Sequence, residues 1–459
     1  MSRHPAYLLL LLVAFLASGC YKDAPERNIN NGTTVEPGGD ADKNEKTFKQ
    51  NRWTFKNMKS DYLWEEHMPD TSVLTLSEYP KNFFEKLIYE GDRFSWIEVN
   101  PDYSDDYATH SPYDRYGIDY AAYLTDEGDE IYRLLLMRNR IPDMKRGDWF
   151  KIAGDDGQSL TLTVGSLDNG AFHPSRQVSL QAQSGQYTEA VSLDSVYDID
   201  DRKIAYLFYN EFIDGGSIID NPYRSELKAI FTYFRTQRAT DLIIDLRYNS
   251  GGHVSICQYL ASLMLKDEYL GEISGYHSFN KTQAALQYKQ TGSEESVLFF
   301  AERGLLGGSN LGLDRVYFII TGRSASASES LINSLSPFLD AVKVGSQSVG
   351  KGVGSWSIQD RTYEWKIQPI TFRYYNRDHV TVPDNGLTPD IPVSDDHDGE
   401  LYEIGDIRER FLSVTLNHIT GGALRSAPAD RMTGATLIDG FAPPRRNIEG
   451  YIDNLHYSQ

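Results

Sequence analysis

The pattern of hydrophobic and polar positions divides the chain into regions of different period. Apolar residues first recur at helical spacing, which predicts a small N-terminal helical domain over residues 48–111. Short alternating runs between turns then predict a β-rich domain over residues 112–195. Strand and helix patterns alternate in the next region, and they predict an α/β domain over residues 196–424. Residues 425–459 form a tail with no clear pattern.

The residues before these domains have the pattern of an export signal followed by a tether. Arg3 precedes an apolar run that is shorter than the roughly 20 residues of a membrane span. Residues 1–19 are therefore predicted to be a signal peptide rather than an uncleaved anchor. Residues 20–47 are rich in Asn, Gly, Asp, Pro and Glu and lack apolar periodicity, which predicts a tether. Ordered structure is expected to begin near Trp53.

The stretch Leu16-Ala17-Ser18-Gly19-Cys20 resembles a bacterial lipobox. Cys20 is therefore expected to become the lipidated first residue of the mature chain and to attach it to a membrane. The acidic stretch after Cys20 resembles the surface-export signals of Bacteroidetes lipoproteins. We thus expect a lipid-anchored cell-envelope protein on the surface or the periplasmic face of the outer membrane. Cys257 is the only other cysteine, so no intramolecular disulfide can form once Cys20 is acylated, and a buried thiol is expected.

The composition and the absence of certain motifs argue against several classes of function. The formal net charge of −20 argues against nucleic-acid binding, which needs clustered lysine and arginine. The sequence has no H-E-x-x-H motif and no cysteine cluster, so neither a metal nor another cofactor is expected. The stretch 345–351 matches a phosphate-binding loop, but Gly352 follows where a Mg²⁺-binding hydroxyl is needed. We therefore expect no nucleotide.

Candidate chemistry is concentrated in three alternating serines between a predicted strand and a predicted helix. The run 315–321 suits a buried strand, and Ser324, Ser326 and Ser328 then alternate with alanines before the helix begins. At such a junction the first N–H groups of the helix are unpaired and carry its positive dipole end. They can therefore hold a developing oxyanion beside a serine hydroxyl. A serine here can equally be a simple helix cap, and this pattern alone leaves both interpretations open.

Lys351 follows Ser326 by 25 residues, with one predicted helix and one predicted strand between them. The segments Ser324-Ala-Ser326-Ala-Ser328-Glu329 and Ser348-Val349-Gly350-Lys351-Gly352 resemble the S-A-S-A-S-E-like and T-F-G-K-G-like segments of the C-terminal-processing (tail-specific) serine peptidases. The resemblance implies that Ser326 is the nucleophile and Lys351 the general base. A lysine accepts a proton only when it is neutral, so its pKa must fall by about 3 units from about 10.4, which burial can achieve.

A third segment, Asp245-Leu246-Arg247-Tyr248-Asn249-Ser250-Gly251-Gly252, resembles the D-L-R-x-N-x-G-G element of the same family. The resemblance implies that Gly251 or Gly252 donates one N–H to the oxyanion and that the amide of Ala327 donates the other. It also implies a crotonase-like layered α/β core and polypeptide substrates. The expected function is that of a serine endopeptidase of exported proteins or peptides, with C-termini as candidate cleavage regions.

One position departs from the family pattern. Many relatives carry a glutamine four residues after the lysine to orient it, and Ser355 stands there in this chain. Ser355 can hydrogen-bond the lysine amine in the same role. If it does not support the dyad, the alternative is a catalytically inactive, peptide-binding lipoprotein of the same fold.

The β-rich domain resembles a PDZ domain in two places. Residues 144–152 resemble the R-G-D-x-I-x-x-I element, and Tyr116, Gly117 and Ile118 stand where PDZ domains keep their carboxylate-binding loop. In that interpretation the N–H groups of the loop capture a chain terminus and the peptide adds as an edge strand. The alternative is an ordinary β-rich linker domain.

Overall fold

The structure, a computed structural model, follows the predicted order of a helical region, a β-rich region and an α/β region. It describes residues 40–98, 115–183, 189–215, 221–360, 365–394, 399–422 and 435–438. Its α-helices are α1 Asp40–Asp61, α2 Pro80–Leu87, α3 Pro222–Thr236, α4 Val254–Met264, α5 Lys281–Thr291, α6 Arg303–Leu306, α7 Ala327–Leu335 and α8 Arg410–Thr420. Short 3-10 helices occur at Glu65–His67, Thr71–Val73 and Asp267–Tyr269.

The strands are β1 Trp96–Glu98, β2 Ile118–Thr125, β3 Glu130–Met137, β4 Trp149–Asp155, β5 Ser159–Asp168, β6 Ala171–Gln181, β7 Val191–Ile199, β8 Arg202–Tyr209, β9 Asp241–Asp245, β10 Ile273–Phe279, β11 Ser296–Phe299, β12 Arg315–Ile320, β13 Asp340–Gly345, β14 Val353–Ser355, β15 Ile358–Gln359, β16 Lys366–Gln368, β17 Ile370–Asn376, β18 Ile391–Pro392 and β19 Ala435–Leu437.

Helix α1 begins at Asp40, so the end of the predicted tether is helical and order begins well before Trp53. This stretch has no apolar face that hydrophobic periodicity could detect. Its lysines and its glutamate have good helix propensity. Propensity rather than amphipathicity therefore sets the start of this helix.

The β-rich region is an antiparallel sheet with the strand order β19-β2-β3-β4-β5-β6. Leu134, Phe150 and Leu162 belong to its buried core. The tail, in which the sequence shows no pattern, contributes β19, where Leu437 pairs with Tyr123 of β2. No helix lies between residues 117 and 183, whereas a PDZ domain binds its peptide between a strand and a helix. Over these residues the resemblance to a PDZ domain is therefore confined to the strands.

The α/β region is built on a six-stranded sheet with the order β18-β13-β12-β9-β8-β7. Its pairs are parallel except for that between β7 and β8. Alternate side chains of β12 enter two cores: Phe318 packs in the same cluster as Leu260 of α4 and Leu331 of α7, and Ile319 in the same cluster as Leu416 of α8. Because both faces are covered, the central strands are continuous apolar runs. The predicted alternation of strands and helices is confirmed.

Two smaller sheets complete this region and join it to the helices at the N-terminus. One has the order β11-β10-β17-β14, and the other has the order β1-β16-β15, in which Trp96 of β1 pairs with Gln368 of β16. Tyr62 and Phe83 of the helical region share a buried cluster with Val353, close in sequence to Lys351. The helical region is therefore packed against the part of the chain that carries the lysine.

A buried ionic cluster fastens α8 to the end of β9. The guanidinium of Arg247 donates to Asp245 (Nη2 to Oδ2, 2.6 Å) and to Glu409 (Nη1 to Oε1, 2.7 Å). Burial by itself would raise the pKa of Glu409, but the positive charge of Arg247 outweighs it, and this pKa lies below its ordinary value. Losing one partner of such a buried pair typically costs about 3–5 kcal/mol. The Asp-Leu-Arg part of the sequence motif thus has a structural role.

Candidate active site

Ser326 lies at the junction between β12 and α7 with an unusual backbone conformation. It is the N-cap residue of α7, its φ is 57° and its ψ is −115°, and it is buried. A non-glycine residue held at positive φ costs on the order of 1–3 kcal/mol and persists only where its surroundings enforce it. A strained strand-to-helix turn is also the setting that presents the nucleophilic serine of α/β-hydrolases. The predicted junction is therefore present, with strain at its middle serine.

The two outer serines have scaffold roles that separate them from Ser326. The hydroxyl of Ser324 donates to the carbonyl oxygen of Leu246 (2.7 Å), and that of Ser328 donates to the carbonyl oxygen of Asn249 (3.0 Å). These bonds hold the serine turn against the segment that leads to Gly251. The alternation of serine and alanine thus places two anchoring hydroxyls around the candidate nucleophile.

Glu329 connects the segment of Ser326 to the segment of Lys351. Its Oε2 accepts from the backbone N–H of Ser326 (2.9 Å) and from that of Lys351 (2.8 Å), and its Oε1 accepts from Gly350 N (2.7 Å) and from the hydroxyl of Ser348. Burial raises the pKa of Glu329, and the four hydrogen bonds act in the opposite direction. Sequence reasoning missed this role, although Ser326 and Glu329 have the spacing of a capping box.

Lys351 is buried, with 1% of its surface exposed. Its Nζ lies 5.0 Å from the ring centroid of Phe94, a residue of the helical region. The preceding Gly350 has φ 83°, and a Cβ there would come within 2.2 Å of the carbonyl oxygen of Asp384, so only glycine fits. The sequence predicted tight turns around the lysine and left its burial open. The structure shows that it is buried.

The glycine turn of residues 251 and 252 lies directly against the serine turn. A Cβ added to Gly251 would be 2.7 Å from Ser326 Cβ and 3.0 Å from Ala327 N. The structure therefore brings Gly251, Ser326 and Ala327 together as predicted. However, the N–H of Gly251 donates to Asn249 Oδ1 (2.8 Å), which removes it as an oxyanion donor in this conformation. Of the two predicted glycines, Gly252 remains the candidate.

Ser355 is buried and has a partner that the sequence did not reveal. Its Oγ accepts a hydrogen bond from Gln368 Nε2 (3.0 Å), and Gln368 Oε1 accepts one from the hydroxyl of Ser357 (2.9 Å). A glutamine amide from β16 thus contacts the residue that stands where relatives carry their glutamine. No local spacing signals this contact, because it depends on how β16 is placed in the fold.

Sequence profiles of two domains match the chain. The profile of "Peptidase family S41" matches residues 203–393, and that of "Peptidase S41 N-terminal domain" matches residues 49–96. The chain belongs to peptidase family S41. Members of this family are serine peptidases, so the predicted peptidase family and reaction class are confirmed. The S41 match spans Ser326, Lys351 and Gln368.

Several solved structures resemble the chain over most of its length. A protein of Bacteroides fragilis NCTC 9343 assigned as an S41 protease is 22% identical, with a TM-score of 0.66, over 80% of this chain and 97% of its own. The photosystem II D1 C-terminal processing protease is 13% identical (TM-score 0.45; 76% and 93% covered), and mature CPAF is 12% identical (0.44; 82% and 96%). At these scores the latter two add nothing to the assignment. No curated protein matches the sequence.

In this S41 chain, the residues predicted to hold a peptide terminus line a cavity of about 430 Å³ in the β-rich region. Gly117 has φ 75°, in the range that favours glycine. Tyr116 and Gly117 face the cavity together with Arg140 and the end of β6. Ile118 is buried in the core of the sheet. The first two residues of the predicted loop thus border a space that a ligand can enter.

The predicted signal peptide and Cys20 lie outside the described residues of this S41 chain. Cys257 is buried, its thiol contacts the carbonyl oxygen of Ala327 (3.5 Å), and burial raises its pKa, so the expectation of a buried thiol is confirmed. Within the described residues, no helix has the length and apolar character to cross a membrane. The same residues contain no group of His, Cys, Asp and Glu side chains that could hold a metal ion.

Proposed function

We propose that this S41 peptidase is a serine endopeptidase in which Ser326 and Lys351 form the catalytic dyad. The observation that carries the proposal is the Glu329 carboxylate, which accepts hydrogen bonds from the backbone N–H groups of both residues. One buried side chain therefore fixes the candidate nucleophile and the candidate base to each other. Ser326 is also the one of the three serines that has the strained N-cap conformation, whereas Ser324 and Ser328 hold the turn through backbone carbonyls.

The proposed reaction follows from the chemistry of the two side chains. The Oγ of Ser326 attacks the scissile carbonyl carbon while its proton passes to the neutral amine of Lys351. The amide of Ala327, at the positive end of α7, and that of Gly252 stabilise the oxyanion. Collapse of the tetrahedral intermediate breaks the C–N bond, and the lysine returns its proton to the leaving amine. Water then hydrolyses the acyl-enzyme with Lys351 as the base.

Gln368 supports an active dyad over an inactive, peptide-binding relative. The alternative arises because Ser355 replaces the glutamine of many relatives. The hydrogen bond from Gln368, on another strand, holds Ser355 with a glutamine amide, and both side chains are buried. A serine that is itself held by a buried amide can orient a neighbouring amine, whereas an unsupported serine would rotate.

The substrates we propose are exported proteins or peptides, and chain ends are candidates for recognition in the cavity beside Gly117. Residues 435–437 of the chain itself already pair with β2 at Tyr123–Thr125, so a peptide cannot add as a strand there while β19 is in place. The cavity is instead bordered by β6, an edge strand of its sheet among the described residues. Arg140 at this cavity offers a positive charge to a terminal carboxylate.

A pair of matched peptides tests both the reaction and the recognition of chain ends. We expect the protein to cut a peptide with a free, apolar C-terminus modestly faster than its amidated twin, measured by mass spectrometry of the products. Equal cleavage of both peptides would leave the peptidase intact and reject a carboxylate site at Gly117. Binding of both peptides without cleavage of either, in wild type and in Ser326→Ala alike, would favour the inactive binding module.

We also propose that the protein is anchored to the outer membrane through a lipid on Cys20. The lipobox around Cys20 and the acidic stretch after it support this location. The full-length protein should partition into the detergent phase and incorporate radiolabelled palmitate, and Cys20→Ala should do neither. Protease treatment of intact cells then distinguishes surface display from the periplasmic face. A wild-type protein that never takes up label would refute the anchor.

A further inference from the structure

We propose that Arg93 and Phe94 of the N-terminal helical region are positioning residues for the base Lys351, an inference that rests on the proposed dyad. The two residues belong to the segment Asp92-Arg93-Phe94-Ser95-Trp96, called here the 92–96 segment. In sequence this segment only marks the end of the helical pattern. In the structure it reaches the candidate active site, so the helical region completes the surroundings of the base.

The 92–96 segment is fixed at both of its ends. Asp92 Oδ1 accepts from the backbone N–H groups of Phe94 (2.8 Å) and Ser95 (3.0 Å), and its Oδ2 accepts from the hydroxyl of Tyr62 (2.8 Å). At the other end, the hydroxyl oxygen of Ser95 accepts from Ile370 N (2.8 Å), and Trp96 begins β1. The segment is therefore held by the helical region on one side and by the α/β region on the other.

Arg93 is hydrogen-bonded to the backbone of the loop that carries Lys351. Its Nη2 donates to the carbonyl oxygens of Val349 (3.2 Å), Gly350 (3.1 Å) and Asp384 (2.8 Å). The first two residues directly precede Lys351, and the third lies in the loop against which Gly350 packs. A planar guanidinium can hold several carbonyls in fixed directions, which a single ammonium does less well. Arg93, a residue of the helical region, thus fixes the backbone of the loop that carries the lysine.

Phe94 covers the amine itself. Its ring centroid lies 5.0 Å from Lys351 Nζ and 4.8 Å from Arg93 Cζ. The ring therefore occupies space beside the amine that water would otherwise fill, and it limits the positions that the flexible lysine side chain can adopt. Glu329 accepts the backbone N–H of Lys351. Glu329 and Arg93 thus hold the backbone of the base, and Phe94 limits the position of its amine. Misplacing a catalytic group by about 1 Å can cost about 100-fold in rate.

The test compares five variants of the full chain with wild type, one of which is Lys351→Met. Arg93→Met and Phe94→Ala should lower kcat about 100-fold while KM changes less than about threefold, since neither touches the proposed peptide cavity. The rate at which a fluorophosphonate labels Ser326 should fall in parallel, because this reaction needs the base but no peptide. Phe94→Tyr, which keeps the ring, should retain most of the activity. Arg52→Met, on the exposed face of α1, is the matched control and should be unchanged.

The outcomes separate this inference from the proposed function. If Arg93→Met and Phe94→Ala are labelled at the wild-type rate while Lys351→Met is not, the dyad stands and the role of the 92–96 segment is refuted. If Lys351→Met also keeps the wild-type rate, the dyad itself has failed. Thermal denaturation shows whether a variant folds. Should Arg93→Met not fold, Arg93→Lys decides instead: we expect about a tenfold loss, and an unchanged labelling rate would overturn the proposal.

Discussion

Replacing Ser326 by alanine should abolish peptide cleavage, with kcat falling by at least about 10⁴-fold. Removing the hydroxyl removes the atom that forms the acyl-enzyme, and no other group in the described site can replace it at the same position. The fold should survive, because the backbone N–H of residue 326 keeps its bond to Glu329 and alanine meets the same backbone strain as serine. We expect the free energy of unfolding to change by less than about 1 kcal/mol. Peptide hydrolysis and thermal denaturation measure the two effects.

Ser324 and Ser328 provide the matched controls in the same turn. Ser324→Ala and Ser328→Ala each remove one donor from a buried carbonyl oxygen: Leu246 O keeps the backbone N–H of Asn249, and Asn249 O keeps that of Ala325. The loss of one such hydrogen bond costs about 0.5–1.5 kcal/mol of stability, but the reaction should continue. We therefore expect Ser326→Ala to be inactive but stable, whereas Ser324→Ala and Ser328→Ala should be active but less stable. Full activity in Ser326→Ala with loss in Ser324→Ala would move the nucleophile.

The catalytic pair could be predicted from sequence because both residues lie in short local segments. Ser326 follows a buried strand and precedes a helix, and Lys351 lies between two glycines after the next strand. The sequence neighbours of each residue therefore form much of its surroundings. The role of Glu329 was also accessible in principle, since its spacing from Ser326 is that of a capping box.

Phe94 and Gln368 could not be predicted in this way. Phe94 lies far from Lys351 in sequence, and Gln368 of β16 reaches Ser355 of β14 from a different sheet. Neither contact has a periodicity or a fixed spacing in the sequence, because each depends on the pairing of β1 with β16. The strand β19 was missed for the same reason: three residues of the tail gain their structure only by pairing with β2.

The fold was predicted best where burial dictates the pattern. Strands β9 and β12 are buried on both faces and are therefore continuous apolar runs that identify a covered parallel sheet. In the β-rich region, alternation gave the strands but not their order, since register and order depend on long-range pairs. The residues that resemble PDZ motifs are thus compatible with a sheet that has no helix between residues 117 and 183.

Lys351→Arg and Lys351→Met should both inactivate the enzyme, and they should do so for different reasons. Arginine keeps a positive charge at any working pH and so cannot accept the serine proton. Methionine has nearly the same length and suits the buried site, but it has no basic atom. We expect losses of at least about 10³-fold in kcat for both. Lys366→Arg is the matched control, because Lys366 also lies over an aromatic ring, that of Trp96 at 5.1 Å, and takes no part in the proposed reaction.

The pH dependence of the cleavage rate tests whether Lys351 is the base. A base that must be neutral is inactive while protonated, so the wild-type rate should be low in acid and rise with pH as the amine of Lys351 loses its proton. The residual rate of Lys351→Met should lack that rise, since the titrating group is gone.

Acidification also protonates carboxylates such as Glu409, whose lowered pKa means that its contribution to stability is lost only well into acid. The rise should therefore be measured above the pH at which thermal denaturation detects unfolding. A Lys351→Arg protein that kept a tenth of the wild-type rate, or a Lys351→Met protein with the same pH profile as wild type, would show that another group takes the serine proton.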